Sequence, residues 1–189
     1  DNEIKAFKYF DGYQTGGRII SNKNKLYVTV GDYNYWKEAQ SNKSYAGKVL
    51  EINKNTNEVK IISKGHRNPQ GLLVLNDQNL LISTEHGPKG GDEINLIQPG
   101  RNYGWPIITY GINYNGTPIT EITEKEGMEQ PIKYWVPSIA TCGMILVTSD
   151  RYPAWKGNFL VAALAGTHIA RVEMNGTKPV AEEKLLLGI

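Results

Sequence analysis

The chain has 189 residues, 40% of them hydrophobic and 21% charged, which suffices for one sizeable core and argues against a disordered chain. Its 21 basic and 19 acidic residues leave a net charge of +2 with no basic stripe, so nucleic acid is a poor candidate partner. The longest apolar stretch, Phe159 to Ala165, falls far short of the roughly twenty residues that cross a bilayer as a helix, and the charged, mixed segment Asp1 to Phe10 does not read as a signal peptide.

Helical periodicity is nearly absent. Short runs rich in Val, Ile, Leu and Tyr recur between Gly, Asn, Asp and Pro clusters, so the chain reads as all-β. In chain order the expected strands are Arg18–Ser21, Lys25–Val30, Gly47–Asn53 and Glu58–Ser63, then Gly71–Leu75, Asn79–Thr84, Glu93–Gln98 and Ile132–Val136. A third set follows at Met144–Thr148, Asn158–Ala163, His168–Met174 and Val180–Leu187. Three segments resemble one another: Asn24 to Asp32, Gln78 to Gly87 and Gly157 to Gly166 each run from a turn residue through an apolar strand into a polar or glycine-bearing loop. Each is followed by a strand ending in Asn or Gln, at Asn53, Gln98 and Asn175. A repeated four-stranded unit is the signature of a β-propeller blade; an open sandwich is the alternative, without the repeated order of loop types.

Strand polarity then assigns the loops. Tyr13–Gly17, Gly31–Tyr45, Gly65–Gln70, Glu85–Asp92, Pro137–Gly143 and Ala165–Thr167 fall on one face. Three blades do not close a ring, so residues 1–189 are expected to form one partial propeller, a fragment of a longer protein. The long segment Asn102–Gln130 suits an insertion that covers the loop face.

Two of those loops carry unusual chemistry: Gly65-His66-Arg67-Asn68-Pro69-Gln70-Gly71 and Glu85-His86-Gly87-Pro88-Lys89-Gly90-Gly91-Asp92-Glu93. Each sets imidazole, charge and amide groups between glycines and a proline, which suits a fixed irregular backbone with polar groups aimed outward. Alone, either is a solvated turn. Hung from apolar strands on one face, the pair forms a candidate pocket. His66 reads as a loop-packing imidazole, Lys89 as a surface charge and the lone Cys142 as a small packed residue.

At these motifs the chain resembles the glucose/sorbosone dehydrogenase family, which includes soluble aldose sugar dehydrogenases that use pyrroloquinoline quinone (PQQ). The resemblance extends to Gly16-Gly17-Arg18, Leu26 to Asp32, Ala46 to Leu50, Asp92 to Leu96, Asn102 to Pro106, Pro137 to Ala140 and Trp155-Lys156-Gly157. It implies a six-bladed propeller in a periplasmic or secreted protein, with the quinone over the channel. It also implies oxidation of an aldose hydroxyl, in which a base takes the proton as hydride moves to the quinone. On this resemblance Arg67 and Asn68 contact the quinone carbonyls, Gln70 adds a polar contact, and Ser138 stands where members carry a threonine. The Gly87 and Pro88 carbonyls match ligands of a calcium ion (Ca2+) that docks the quinone, and Glu93 with Tyr103 matches a second, structural calcium locus, with a solvated acidic pair as the alternative.

The chain departs from the family at two positions. The histidine that serves as general base is Gln14 here, or Tyr13 if the spacing differs, and an amide accepts no proton near neutral pH. Asp32, which matches the aspartate that orients that histidine, is then the remaining acid-base group of the catalytic set Arg67, Asp32 and Gln14. A lysine that reaches the quinone carboxylates in some members corresponds to about Ala165. The expected activity is therefore a PQQ-dependent sugar dehydrogenase. The alternatives are a non-catalytic propeller that binds a sugar or protein, and a lactonase-like hydrolase, for which the sequence offers few convergent carboxylates.

Overall fold

Twelve β-strands build three four-stranded antiparallel sheets in the computed structural model, which describes residues 12–75 and 80–188. The segment Asp1 to Phe10 and the first residue of the expected strand Asn79–Thr84 lie outside the described residues. The first sheet is β1 (Gly16–Asn22), β2 (Lys25–Val30), β3 (Lys48–Asn53) and β4 (Val59–Lys64). The second is β5 (Pro69–Leu75), β6 (Leu80–Glu85), β7 (Asp92–Ile97) and β8 (Lys133–Trp135), and the third is β9 (Thr141–Leu146), β10 (Phe159–Ala163), β11 (His168–Asn175) and β12 (Lys178–Leu185). Each sheet keeps its strands in chain order. They are three blades of a β-propeller.

The inner strands β1, β5 and β9 lie side by side, which stacks the sheets face to face. Between the first two sheets pack Val49, Ile62, Leu72, Leu81, Ile97 and Tyr103. Between the second and third pack Ile82, Ile94, Met144, Phe159, Val161 and Val172. The middle sheet is therefore covered on both faces. That explains why β6, Leu-Leu-Ile-Ser-Thr-Glu, is buried almost without alternation, whereas outer β12, Lys-Pro-Val-Ala-Glu-Glu-Lys-Leu, is nearly all exposed.

Four strands start two or more residues earlier than the residue pattern suggests: β1 at Gly16, β5 at Pro69, β9 at Thr141 and β12 at Lys178. β1 opens at Gly16, which pairs with Val30 across a register shift, and β9 opens at Thr141, which pairs with Ala163 across another. Bulges of this kind bend a strand toward its loop and disturb the period-two pattern used to find it.

Two devices hold the loops. Lys48 is fully buried, and its Nζ donates to the Glu38, Ala39 and Ala46 carbonyls at 2.7, 3.1 and 2.6 Å, bracing the 31–47 loop from within. The segment from 98 to 132 leaves β7 on the opposite face, pairs parallel to the end of β4 through Lys64 and Asn102, and climbs to the loop face. There Tyr103 and Trp105 donate backbone N–H groups to Lys64 and Gly65, and Ile112 bridges Lys89.

Candidate active site

A cleft of about 420 Å³ opens where the loops of the first two blades meet. Tyr13 and Gln14 line it from the approach to β1, Asn34 and Trp36 from the β2–β3 loop, Arg67 and Asn68 from the β4–β5 loop, and His86 and Pro88 from the β6–β7 loop. The climbing segment supplies Asn113, Tyr114 and Ile119, so the expected insertion does reach this face. The two loops singled out from sequence meet here. Their contact is explicit: the Arg67 guanidinium donates through Nη1 to the His86 carbonyl at 2.9 Å and to the Gly87 carbonyl at 2.6 Å.

Arg67 is buried, and no carboxylate among the described residues pairs with its guanidinium. Its Nε has no hydrogen-bond partner. The Trp105 ring lies 5.5 Å from the guanidinium carbon, and Asn68 is fixed by accepting from Gly16 N–H at 3.0 Å. A buried cation with an unused donor costs free energy unless an anion or polar ligand meets it.

Asp32 lies beneath the cleft, fully buried. It accepts from Trp105 Nε1 at 2.6 Å and from Asn34 N–H at 2.9 Å, and its own N–H donates to the Arg67 carbonyl at 2.8 Å. Burial pushes its carboxyl up to about 6 despite those bonds and the nearby guanidinium. In one orientation the Gln14 amide donates to Asn34 Oδ1 at 2.5 Å; turned over, it sets its nitrogen on Asp32 Oδ1 at 2.5 Å and its oxygen on Arg67 Nη2 at 3.1 Å. In the second orientation Gln14 joins the carboxylate to the guanidinium. A Cβ at Gly31 would overlap the Gln14 carbonyl, so glycine at 31 is what lets this approach form.

Two carboxylates not singled out as a base or cofactor contact from sequence organise the site. Glu85 is buried; its Oε2 holds His66 Nδ1 at 2.8 Å, and its Oε1 accepts the backbone N–H of Arg67. His66 also meets Ser63 Oγ at 2.8 Å and stacks on Tyr103, which fits the loop-packing role expected of it. Asp92 is fully buried: Oδ1 accepts from Gly87 N–H at 2.8 Å, and Oδ2 accepts from Ser138 Oγ, Ile139 N–H and Thr141 N–H at 2.6, 2.9 and 3.2 Å. It ties the second blade's loop to the third blade. Burial would raise its carboxyl, but hydrogen bonds from His86 and Ser138 and the His86 charge hold it below the ordinary carboxylate value. His86, partly exposed in the cleft, places Nδ1 3.5 Å from Asp92 Oδ1. The signal for both acids was in the sequence: each ends or begins an apolar strand beside a glycine loop, where a solvated charge is out of place.

Below the cleft, Glu93 and Tyr103 line a cavity of about 10 Å³ with Glu85, Gly87 and Thr109. Burial, with the Glu85 charge beside it, pushes Glu93 up to about 8, against a hydrogen bond from Asn95. Burial likewise pushes Tyr103 up to about 12; its hydroxyl donates to the Leu96 carbonyl and accepts from Gln98 N–H. Three sequence-derived positions stand apart from the residues lining the cleft. Gln70 lies in β5 and accepts from Arg18 through its carbonyl, Ser138 gives its hydroxyl to Asp92, and Ala165 sits exposed between β10 and β11.

A family profile described as glucose/sorbosone dehydrogenase matches residues 5–189. The chain belongs to the glucose/sorbosone dehydrogenase family. It is 35% identical over 195 residues to the aldose sugar dehydrogenase YliI of Escherichia coli K12, covering 95% of this chain and 53% of that protein. The crystal structure of the soluble aldose sugar dehydrogenase from Escherichia coli, in the apo form, superposes with a TM-score of 0.82 at 36% identity, over 89% of this chain and 53% of that one. The PQQ-bound aldose sugar dehydrogenase from Streptomyces coelicolor gives 0.72 at 27% identity, over 92% and 49%. This glucose/sorbosone dehydrogenase chain thus spans about half the length of the relatives it matches.

The cleft fits a quinone: it is roomy, aromatic at Trp36 and Tyr114, and lined by the Arg67 cation and by Asn68. The Gly87 and Pro88 locus does not fit a calcium ion as built, because the Gly87 oxygen is taken by the guanidinium. The Glu93 and Tyr103 locus has space for one water.

Proposed function

We propose that this chain carries the catalytic face of a PQQ-dependent aldose sugar dehydrogenase, working outside the cytoplasm as a periplasmic or secreted protein. The observation that carries the reading is the buried Arg67, with no carboxylate partner among the described residues, lining the cleft beside Asn68 and His86. Membership of a sugar dehydrogenase family and likeness to a PQQ-bound relative support it. When bound, the quinone supplies the acceptor for the hydride that leaves the sugar carbon. Arg67 and Asn68 orient its carbonyl edge, and the guanidinium favours the negative charge that develops there more strongly in the transition state than in the ground state. Ser138 would reach the cofactor only by releasing Asp92, and Gln70 lies in β5 outside the cleft lining.

The proton of the sugar hydroxyl needs an acceptor. Asp32 stays beneath Gln14 as the group that fixes Trp105 and the guanidinium, and its carboxyl, near 6, is the first candidate base if Gln14 swings aside. His86 is the candidate already in the cleft, with Asp92 behind its Nδ1 to hold an imidazolium, as a buried carboxylate does in acid-base pairs. The Glu93 and Tyr103 locus does not fit a calcium ion either: its cavity is about 10 Å³, the Tyr103 hydroxyl is engaged by Leu96 and Gln98, and among the described residues no group of three or more His, Cys, Asp or Glu side chains could hold a metal.

A second reading is a non-catalytic sugar-binding propeller, favoured by the neutral Gln14 joining Asp32 to Arg67. Dye reduction by the full-length protein with PQQ and aldoses separates the two. Turnover that falls about 10² to 10⁴-fold in His86→Asn, with Asp32→Asn falling less, assigns the base to His86; the reverse order assigns it to Asp32. Sugar binding without turnover, even after Gln14→His, would leave the binding reading.

A further inference from the structure

We propose that Arg67 holds the cation position of this cleft, so that the site takes a carboxylate or quinone oxygen directly on the guanidinium and needs no divalent metal at Gly87 and Pro88. The inference rests on the quinone reading for the identity of the anion, but not for the metal.

The geometry is specific. Nη1 sits 2.6 Å from the Gly87 oxygen and 2.9 Å from the His86 oxygen, so one guanidinium nitrogen already engages the Gly87 carbonyl, one of the two that the resemblance offers to a metal. His86 Nδ1 is also 3.1 Å from the Gly87 oxygen. Calcium takes six to eight oxygens at about 2.3–2.6 Å. An ion placed on the Gly87 oxygen would meet the guanidinium charge, because Arg67 Nη1 is 2.6 Å from that oxygen. Glu93, bonded to Asn95 through Oε2, lines the same cavity as Gly87 and Pro88 and is removed in the test below, whereas the two other acids near the loop have their oxygens engaged. Asp92 gives Oδ1 to Gly87 N–H and Oδ2 to three donors on the 138–141 turn, while Glu85 gives its oxygens to His66 and to Arg67 N–H.

The guanidinium is itself incomplete in the way a metal site is incomplete. Among the described residues it is buried, carries no ion pair and keeps Nε without a partner, while Nη2 lies 3.1 Å from the Gln14 amide oxygen when that amide is turned toward it. Arginine suits this place because its fork can hold two carbonyls on one side and present further N–H groups to a planar oxygen pair. The Trp105 ring lies against the guanidinium, 5.5 Å from its carbon.

The test is quinone binding to the full-length protein by dialysis and absorbance, in EDTA and in about 5 mM calcium, in a Glu93→Gln background that silences the acidic locus. The inference predicts dissociation constants that agree within about twofold in the two buffers. A gain of about tenfold or more with calcium would overturn it. If no quinone binds in either buffer, the functional reading fails, and calcium alone decides this inference. Titrating calcium into the same variant by calorimetry should give no saturable heat; saturable binding would refute the cation role of Arg67.

Discussion

Asp92 is the residue on which the candidate site most depends structurally. One carboxylate receives four hydrogen bonds from Gly87, Ser138, Ile139 and Thr141, so it fixes the loop that presents His86 and Pro88 and joins it to the next blade. Asparagine keeps the shape but turns an NH2 group toward donors, leaving buried N–H groups without an acceptor. We expect Asp92→Asn to cost about 2–4 kcal/mol in denaturant unfolding and to weaken ligand binding in the cleft. An unchanged midpoint would mean that these bonds are not maintained in solution. Arg67 differs in kind: its backbone N–H is held by Glu85 and its carbonyl by Asp32, so truncating its side chain leaves the loop's own bonds in place.

At the scale of elements, the loops are held by interior polar groups rather than by packing alone. Lys48 shows this best. Burial pulls its ammonium down to about 8, yet it satisfies three carbonyls of the 31–47 loop. Lys48→Met would fill similar space and strand those acceptors, so a loss of about 2–4 kcal/mol is expected, together with faster amide exchange at residues 36–40. Retained stability would show that water replaces the ammonium without cost. All twelve strands were legible in the sequence, because apolar runs between turn residues mark them and because one buried middle sheet makes the β5–β7 pattern continuous. The starts of β1, β5, β9 and β12 were not, since register shifts at Gly16, between Pro69 and Gly71, near Thr141 and at Met174 opposite Pro179 break alternation. In the site, Arg67, Asn68 and Gln14 were legible as loop chemistry. Glu85 and Asp92 were visible as residue types, but their partners lie at His66 and on the 138–141 turn, and no local spacing reports such contacts.

For the molecule as a whole, burial of ionisable groups ties stability to pH. Asp32 has its carboxyl raised from 3.8 to about 6 in the folded state, so its contribution is fully present below about 3.8 and is lost as pH rises through about 6. Because the residue is fully buried, that loss is about 3 kcal/mol as an order of magnitude. Glu93, raised from 4.5 to about 8, acts in the same direction over a higher window. Asp92 acts oppositely: its lowered carboxyl favours folding above about 3.8, and that contribution disappears as pH falls through its depressed folded value. Thermal unfolding of Glu93→Gln should therefore show a shallower fall in stability between pH 5 and pH 8, roughly the interval spanned by the two values, than the parent protein. Parallel curves would remove Glu93 as the cause.

The three blades bring two polar loops, a climbing segment and a buried guanidinium together at one cleft, which on the proposed reading receives a quinone. Calorimetric titration of PQQ into the full-length protein and its Arg67→Ala variant tests this. One-to-one binding is expected, weakened about 10 to 100-fold in the variant by the loss of charge-assisted hydrogen bonds from a buried site. Absence of binding, or equal affinity in the two proteins, would contradict it.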